Sequence, residues 1–256
     1  MCKGPTHALS GAVTGTALGL FGLHTTITGT ADLAVLTAGF ATVSDLDQCG
    51  STAARSFGLL TESLAHVVRR VSGGHRHATH TLVFSIAFAG VAWLAGEWRH
   101  CRPAAVILGM ILAVGVASGL EALRPGARRH HLRIRWGRRR HHLGILRSDL
   151  IAVAAAITVT VTGWDLALVP YAAALGILTH ITGDELTKDG CPFFWPITDR
   201  KYHLLPSCLR FTTGTWPENL VLTPLLAVTL AWLALWAMGA HLDPAAVRDF
   251  AGHLPG

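Results

Sequence analysis

Residues 103–121 read PAAVILGMILAVGVASGLE, an unbroken run without a charge until Glu121. A helix rises about 1.5 Å per residue, so such a run just crosses a hydrocarbon core of about 30 Å. Three further stretches, 81–96, 150–164 and 220–240, have the same character. The 256-residue chain is 51% hydrophobic and 14% charged, against roughly a quarter charged in soluble domains. Four such stretches in so uncharged a chain disfavour a soluble bundle. The expected fold is all-α, a polytopic transmembrane bundle of six to seven membrane segments.

Working outward, helical segments are expected at 7–23, 30–44, 80–97, 103–121, 149–165, 168–185 and 219–239, all in one membrane-embedded domain, 1–256. The segment 30–44 reaches only about 22 Å, so an interfacial or half-buried position is expected for it. Lys3 and the apolar run ending near Leu23 resemble a secretory leader. No small-x-small cleavage site follows, so the run is expected to stay as a helix. Gly11, Gly15 and Gly19, with Gly115 and Gly119, are expected to let helices approach closely in lipid.

Threading these segments alternately through a bilayer tests the orientation. Residues 1–6, 45–79, 122–148 and 186–218 fall on one side. Of the 21 Lys and Arg residues only Arg99, Arg102 and Arg248 fall on the other, leaving 18. Cytoplasmic loops carry the excess of cations, so the first side, with the N-terminus, is expected to be cytoplasmic. The densest basic run, 124–147, holds nine arginines and four histidines within the 122–148 loop. A loop facing anionic lipid is the first expectation for it, each cation contributing about 1 kcal/mol near such a surface. A nucleic-acid reader is disfavoured, because Trp136 is the one aromatic there on which a base could stack. The cysteines, Cys2, Cys49, Cys101, Cys191 and Cys208, are scattered without a CxxC pair and suggest neither a disulfide framework nor a thiolate zinc site.

Ionisable groups near a membrane are costly unless solvated, paired or metal-bound, so their positions are informative. His7 opens the first segment, and Asp45 and Asp47 follow the second. His75, Arg76, His77 and His80 precede the third, and His180 and Asp184 close the sixth. All four groups emerge on the same side of the threading. His180 and Asp184 are four apart and share a helix face. Asp45 and Asp47 are two apart, so both can reach inward only where the helix ends. Imidazoles with carboxylates suit zinc first, with manganese or iron(II) next. The competing readings are an interfacial His7, an Asp184–Lys188 ion pair and a helix stop at Asp45 and Asp47. His77 is expected to be a neighbour of the site, not a ligand.

These motifs resemble the YdjM-type family of membrane-bound metal-dependent hydrolases. The family pattern runs as an N-terminal His before a Gly-containing helix, PDxD, HRxxTHS, and HxxxDxxTxxG before a Pro-Phe segment. Here it stands as His7 with Gly11, Ser44-Asp45-Leu46-Asp47, His75-Arg76-His77-Ala78-Thr79-His80-Thr81, and His180 through Gly190 followed by Cys191-Pro192-Phe193. Ser44 replaces the proline and Thr81 the serine, and neither change removes a ligand type. The resemblance implies a bacterial-type inner-membrane hydrolase. One or two divalent ions would be held by His7, Asp45, Asp47, His75, His80, His180 and Asp184. Asp47 is expected as a catalytic base and Arg76 as a clamp for a phosphate, with a phosphodiester or phospholipid head group as the substrate class. The alternative is a non-catalytic protein in which metal locks helix ends together and 124–147 recruits anionic lipid or a cytoplasmic partner.

Overall fold

The computed structural model describes residues 3–123, 138–163 and 165–239. Helices are α1 (Gly4–Ala17), α2 (Ile27–Val43), α3 (Thr52–Arg55), α4 (Leu59–Val71), α5 (Leu82–Glu97), α6 (Arg102–Leu123), α7 (Arg138–Thr162), α8 (Val169–Glu185) and α9 (Thr223–Ala237). Among the described residues there is no strand, only isolated bridges pairing Thr187 with Phe211 and Cys191 with Tyr202. Among the described residues four helical stretches are long and apolar enough to cross a membrane: Ile27–Asp47, Arg102–Leu120, Leu166–Glu185 and Pro217–Ala237. Leu82–Glu97 and Asp149–Thr162 are shorter apolar helices beside them.

The starts of these helices follow from local chemistry. Thr26 caps α2 by accepting the Gly29 amide at 3.2 Å, and Thr81 caps α5 by accepting that of Phe84 at 3.1 Å, each satisfying an amide that a first turn leaves without a carbonyl. Proline opens α1 and α8, where its missing N–H has no partner to lose.

The second segment differs most from expectation. With the 3₁₀ turn at Ser44–Asp47 it runs over 21 residues, long enough to cross a membrane, and it packs at the centre of the bundle against α1, α6 and α8. Leu33 and Phe40 are fully buried among Leu108 and Leu112 of α6 and Val169 and Ala173 of α8. Close approach explains how one helix touches so many. A Cβ at Gly39 of α2 would strike the Gly115 carbonyl of α6, and one at Gly176 of α8 would lie 2.8 Å from the Thr37 carbonyl. Small residues let backbones meet in this way in a membrane, where the hydrophobic effect does not draw helices together.

The outer faces are apolar: Ile86 and Leu94 of α5, Leu150 and Val161 of α7, and Leu225 and Val228 of α9 are exposed. A soluble monomer rarely shows so much exposed apolar surface, whereas a lipid-facing helix must.

Two further differences concern the loops. The 45–79 segment is helical over α3 and α4. Of the basic loop, 124–137 lies outside the described residues, while Arg138 onward already belongs to α7. The expected boundary at 149 followed the charge, but a helix need not stop where its apolar part does.

Gly39→Val should therefore destabilise the bundle by about 3 kcal/mol, the upper range for overpacking. Gly90→Ala, where an added Cβ meets nothing within 4 Å, should be neutral or stabilising by up to about 1 kcal/mol. Denaturant unfolding of both variants in detergent checks the pair.

Candidate metal centre

Four chain segments deliver the ionisable residues to one buried point. α1 presents His7 in its first turn, and α2 gives way to the Ser44–Asp47 turn carrying Asp45 and Asp47. The Ala78–His80 turn carries His80, and the last turns of α8 carry His180 and Asp184. His7, Asp47, His80, His180 and Asp184 are at most 1% exposed and Asp45 is 4% exposed. His75, 23% exposed, stands at the rim.

Hydrogen bonds around the histidines decide which ring nitrogens face inward. His180 Nδ1 lies 2.7 Å from the Ala41 carbonyl oxygen, which can only accept, so Nδ1 carries the proton and Nε2 keeps a bare lone pair. Thr79 donates its hydroxyl hydrogen to Asp47 Oδ2 at 2.5 Å, and its oxygen stands 3.0 Å from His80 Nδ1. The Thr79 oxygen therefore accepts from His80 Nδ1, and His80 Nε2 is bare as well. The two Nε2 atoms face each other at 3.1 Å. Two carboxylate oxygens join them: Asp45 Oδ1 lies 3.6 Å from His180 Nε2 and 3.8 Å from His80 Nε2, and Asp184 Oδ2 lies 3.7 Å from both.

Four electron-rich atoms converging without a proton between them repel one another unless a cation joins them. Tetrahedral ligands bound at about 2.0–2.1 Å lie about 3.3 Å apart, and the separations here, 3.1 to 3.8 Å, bracket that edge. Asp45 Oδ1 and His7 Nε2 are buried without a hydrogen bond, as atoms reserved for a metal would be. Among the described residues three overlapping donor sets meet within 4.8 Å: Asp45, Asp47, His75 and His80; His7, Asp45 and His180; and His80, His180 and Asp184. The His/Asp cluster can thus hold a metal ion.

Other residues orient the donors. Asp47 receives His75 Nδ1 at 2.7 Å on Oδ1. On Oδ2 it receives the Arg76 amide at 3.2 Å and the Thr79 hydroxyl. With both oxygens engaged, Asp47 sits behind His75 and does not line the open cleft. The His7 and His180 rings stack with centroids 3.8 Å apart. Arg76 is 8% exposed and takes a positive φ of 59°. Its Nε contacts Asp184 Oδ2 and its Nη1 Asp189 Oδ2, both at 3.2 Å, while Nη2 is buried without a hydrogen bond. Asp184 therefore pairs with Arg76 and stands 3.4 Å from His7 Nε2. His77 points elsewhere, toward the Ser72 carbonyl and Asp199. Burial pushes the Cys191 thiol up, so it stands beside Asp184 as a neutral S–H.

A cleft of about 550 Å³ opens over this cluster, lined by Asp45, His75 and Arg76 and also by Lys3, Arg55 and Asp189. Sequence reading had singled out neither Lys3 nor Arg55 for the site, and it missed Thr79 and Glu218. Glu218 is fully buried and ties the chain start to α9, accepting the Lys3 amide at 2.5 Å and the Thr6 hydroxyl at 2.8 Å. An acid abutting an apolar helix was the available signal for it.

The fold and the cluster define a helical membrane protein with a buried His/Asp centre under a polar cleft. The model of the family described as YdjM inner membrane protein matches residues 1–122 and 125–242, and the chain belongs to that family. No curated protein and no solved structure matches the chain.

If the centre holds metal through donors fixed by Thr79, then Thr79→Val, which removes that hydroxyl, should weaken affinity about 10- to 100-fold. Wild type purified in detergent should keep one or two equivalents of divalent metal, and His180→Ala should lose them. Elemental analysis with chelator competition measures both, and a metal-free wild type would reject the centre.

Proposed function

We propose that the protein is a metal-dependent hydrolase of the inner membrane acting on a phosphodiester, with a phospholipid head group as the first substrate class. The observation that supports this reading is the pairing of converging bare donors with Arg76, which lines the same cleft and whose Nη2 has no hydrogen bond. Zinc is the first candidate for the ion, with manganese or iron(II) next. When bound, it supplies Lewis acidity and makes water acidic enough to ionise near neutral pH.

The chain's own groups do the rest. Lys3, Arg55 and Arg76 give the cleft a positive potential that draws in an anion, and Arg76 offers a directional donor to a phosphate oxygen. His75 is oriented by Asp47. With Nδ1 held, its other nitrogen can take a proton from an attacking water and return it to the leaving oxygen. Asp47, expected as the base, acts in this scheme through His75. Asp45 lines the cleft and also reaches the donor cluster, so it joins substrate to centre.

In this reading the segments thread the bilayer six or seven times. The 18-to-3 distribution of cations sets the centre and the N-terminus toward the cytoplasm.

The wild type should hydrolyse bis(p-nitrophenyl) phosphate or a phospholipid. Asp45→Ala and His180→Ala should abolish turnover, and Arg76→Ala should lower kcat/KM about 100-fold, the scale of a lost transition-state donor. Metal retained by wild type without turnover on any phosphodiester would instead favour a protein whose ions lock helix ends and whose Arg-rich run binds anionic lipid.

A further inference from the structure

A second cavity lies beside the first and differs from it in chemistry. It is a groove of about 700 Å³ walled by α4 with the turn before it and floored by α6 and α7; Phe57, Leu60, Leu64, Met110, Ile157 and Val161 line it. Its surface is almost wholly apolar, and the hydrolase reading does not use it.

The wall decides what can occupy it. Along α4, Leu60, Leu64, Val67 and Val71 are exposed on one side, while Glu62, His66, Arg69 and Arg70 occupy another. Thr61 and Ala65 form its buried face, and Ala65 packs on Leu46 between the two aspartates of the turn. A helix with an exposed apolar face and cations near its end suits the membrane interface, its apolar side among the upper acyl chains. The groove between α4 and the apolar helices α6 and α7 then opens at that depth, where acyl chains are the abundant apolar matter.

The groove and the polar cleft also adjoin. Arg55, at the end of α3, lines the cleft, and Phe57, two residues on, lines the groove. Two residues span no more than about 7 Å of chain, a separation that the glycerol unit of a phospholipid bridges between its phosphate and an acyl chain.

We infer that the groove is an acyl-chain subsite, so that one anionic glycerophospholipid places its phosphate against Arg55 and Arg76 and one chain between α4, α6 and α7. The inference rests on the hydrolase reading and narrows its substrate from phosphodiesters in general to long-chain lipids.

Gly109 of α6 tests it, because it lines the groove and an added Cβ would meet only the Thr160 hydroxyl, at 4.0 Å. Gly109→Leu fills the groove from its floor, Ile157→Trp from α7, and Gly109→Ala leaves it nearly open. In nanodiscs holding phosphatidylglycerol with a diazirine in its chain, wild type should be labelled within 57–64 and 153–161. Both filling variants should lower that labelling at least fivefold, with labelling of α9 unchanged and Gly109→Ala like wild type. The same two variants should lower kcat/KM on long-chain phosphatidylglycerol at least tenfold and leave hydrolysis of bis(p-nitrophenyl) phosphate intact. Unchanged groove labelling, or equal loss on both substrates in both variants, would overturn the subsite. Wild type that turns over neither substrate yet shows the expected labelling pattern would sink the hydrolase reading and leave the chain groove standing. Turnover of both substrates unaffected by either variant would do the reverse.

Discussion

Three carboxylates, Asp45, Asp47 and Asp184, stand at the C-terminal ends of α2 and α8, where the helix dipole already supplies negative potential. All three are buried, so water cannot screen them. Most of the surrounding architecture serves to bring positive charge or hydrogen-bond donors to this point. The His75–His80 segment loops over it, with Arg76 at a backbone angle that side chains rarely adopt, and sets a guanidinium on Asp184 and two further donors on Asp47. A cation between His80 and His180 would complete the same compensation. Removing one partner from such a cluster is expected to be far more damaging than never having built it, since the charges left behind remain buried.

The dependence also runs from the fold to the centre. His180 can present Nε2 only because its Nδ1 reaches the Ala41 carbonyl in the last turn of α2. That contact requires α2 and α8 to touch, and they touch because Gly176 leaves room for the α2 backbone. Packing by small residues and tautomer selection are therefore one constraint seen at two scales. The bundle sets the backbone separation, and the separation sets which nitrogen is bare.

The sequence disclosed more of the donor set than of its roles. His180 and Asp184 were readable because a spacing of four has one geometric meaning on a helix, and Asp45 with Asp47 because a spacing of two demands a chain end. Which aspartate faces the cleft was not readable, since it depends on how the 3₁₀ turn meets a loop some thirty residues away. Thr79 was hidden for a related reason: its importance lies in relaying a hydrogen bond between Asp47 and His80, and a lone threonine carries no pattern. For α2, the length of the apolar run suggested an interfacial position, but the Thr26 cap and the terminal turn lengthen the helix and packing buries it. Helix α4 did carry a legible pattern, apolar at 60, 64, 67 and 71. Glu62, Arg69 and Arg70 excluded it from any search for spans, which is why an amphipathic helix is easily taken for loop.

That helix links the two halves of the molecule. Its buried face packs through Ala65 on Leu46, between the two aspartates, while its apolar face is exposed. The turn that shapes the centre is thus braced by an amphipathic element. On the interfacial position inferred for α4, its exposed leucines meet acyl chains; in water they would gain by turning inward, at roughly 25 cal/mol for each Å² of apolar surface covered, and the brace on the turn would shift with them.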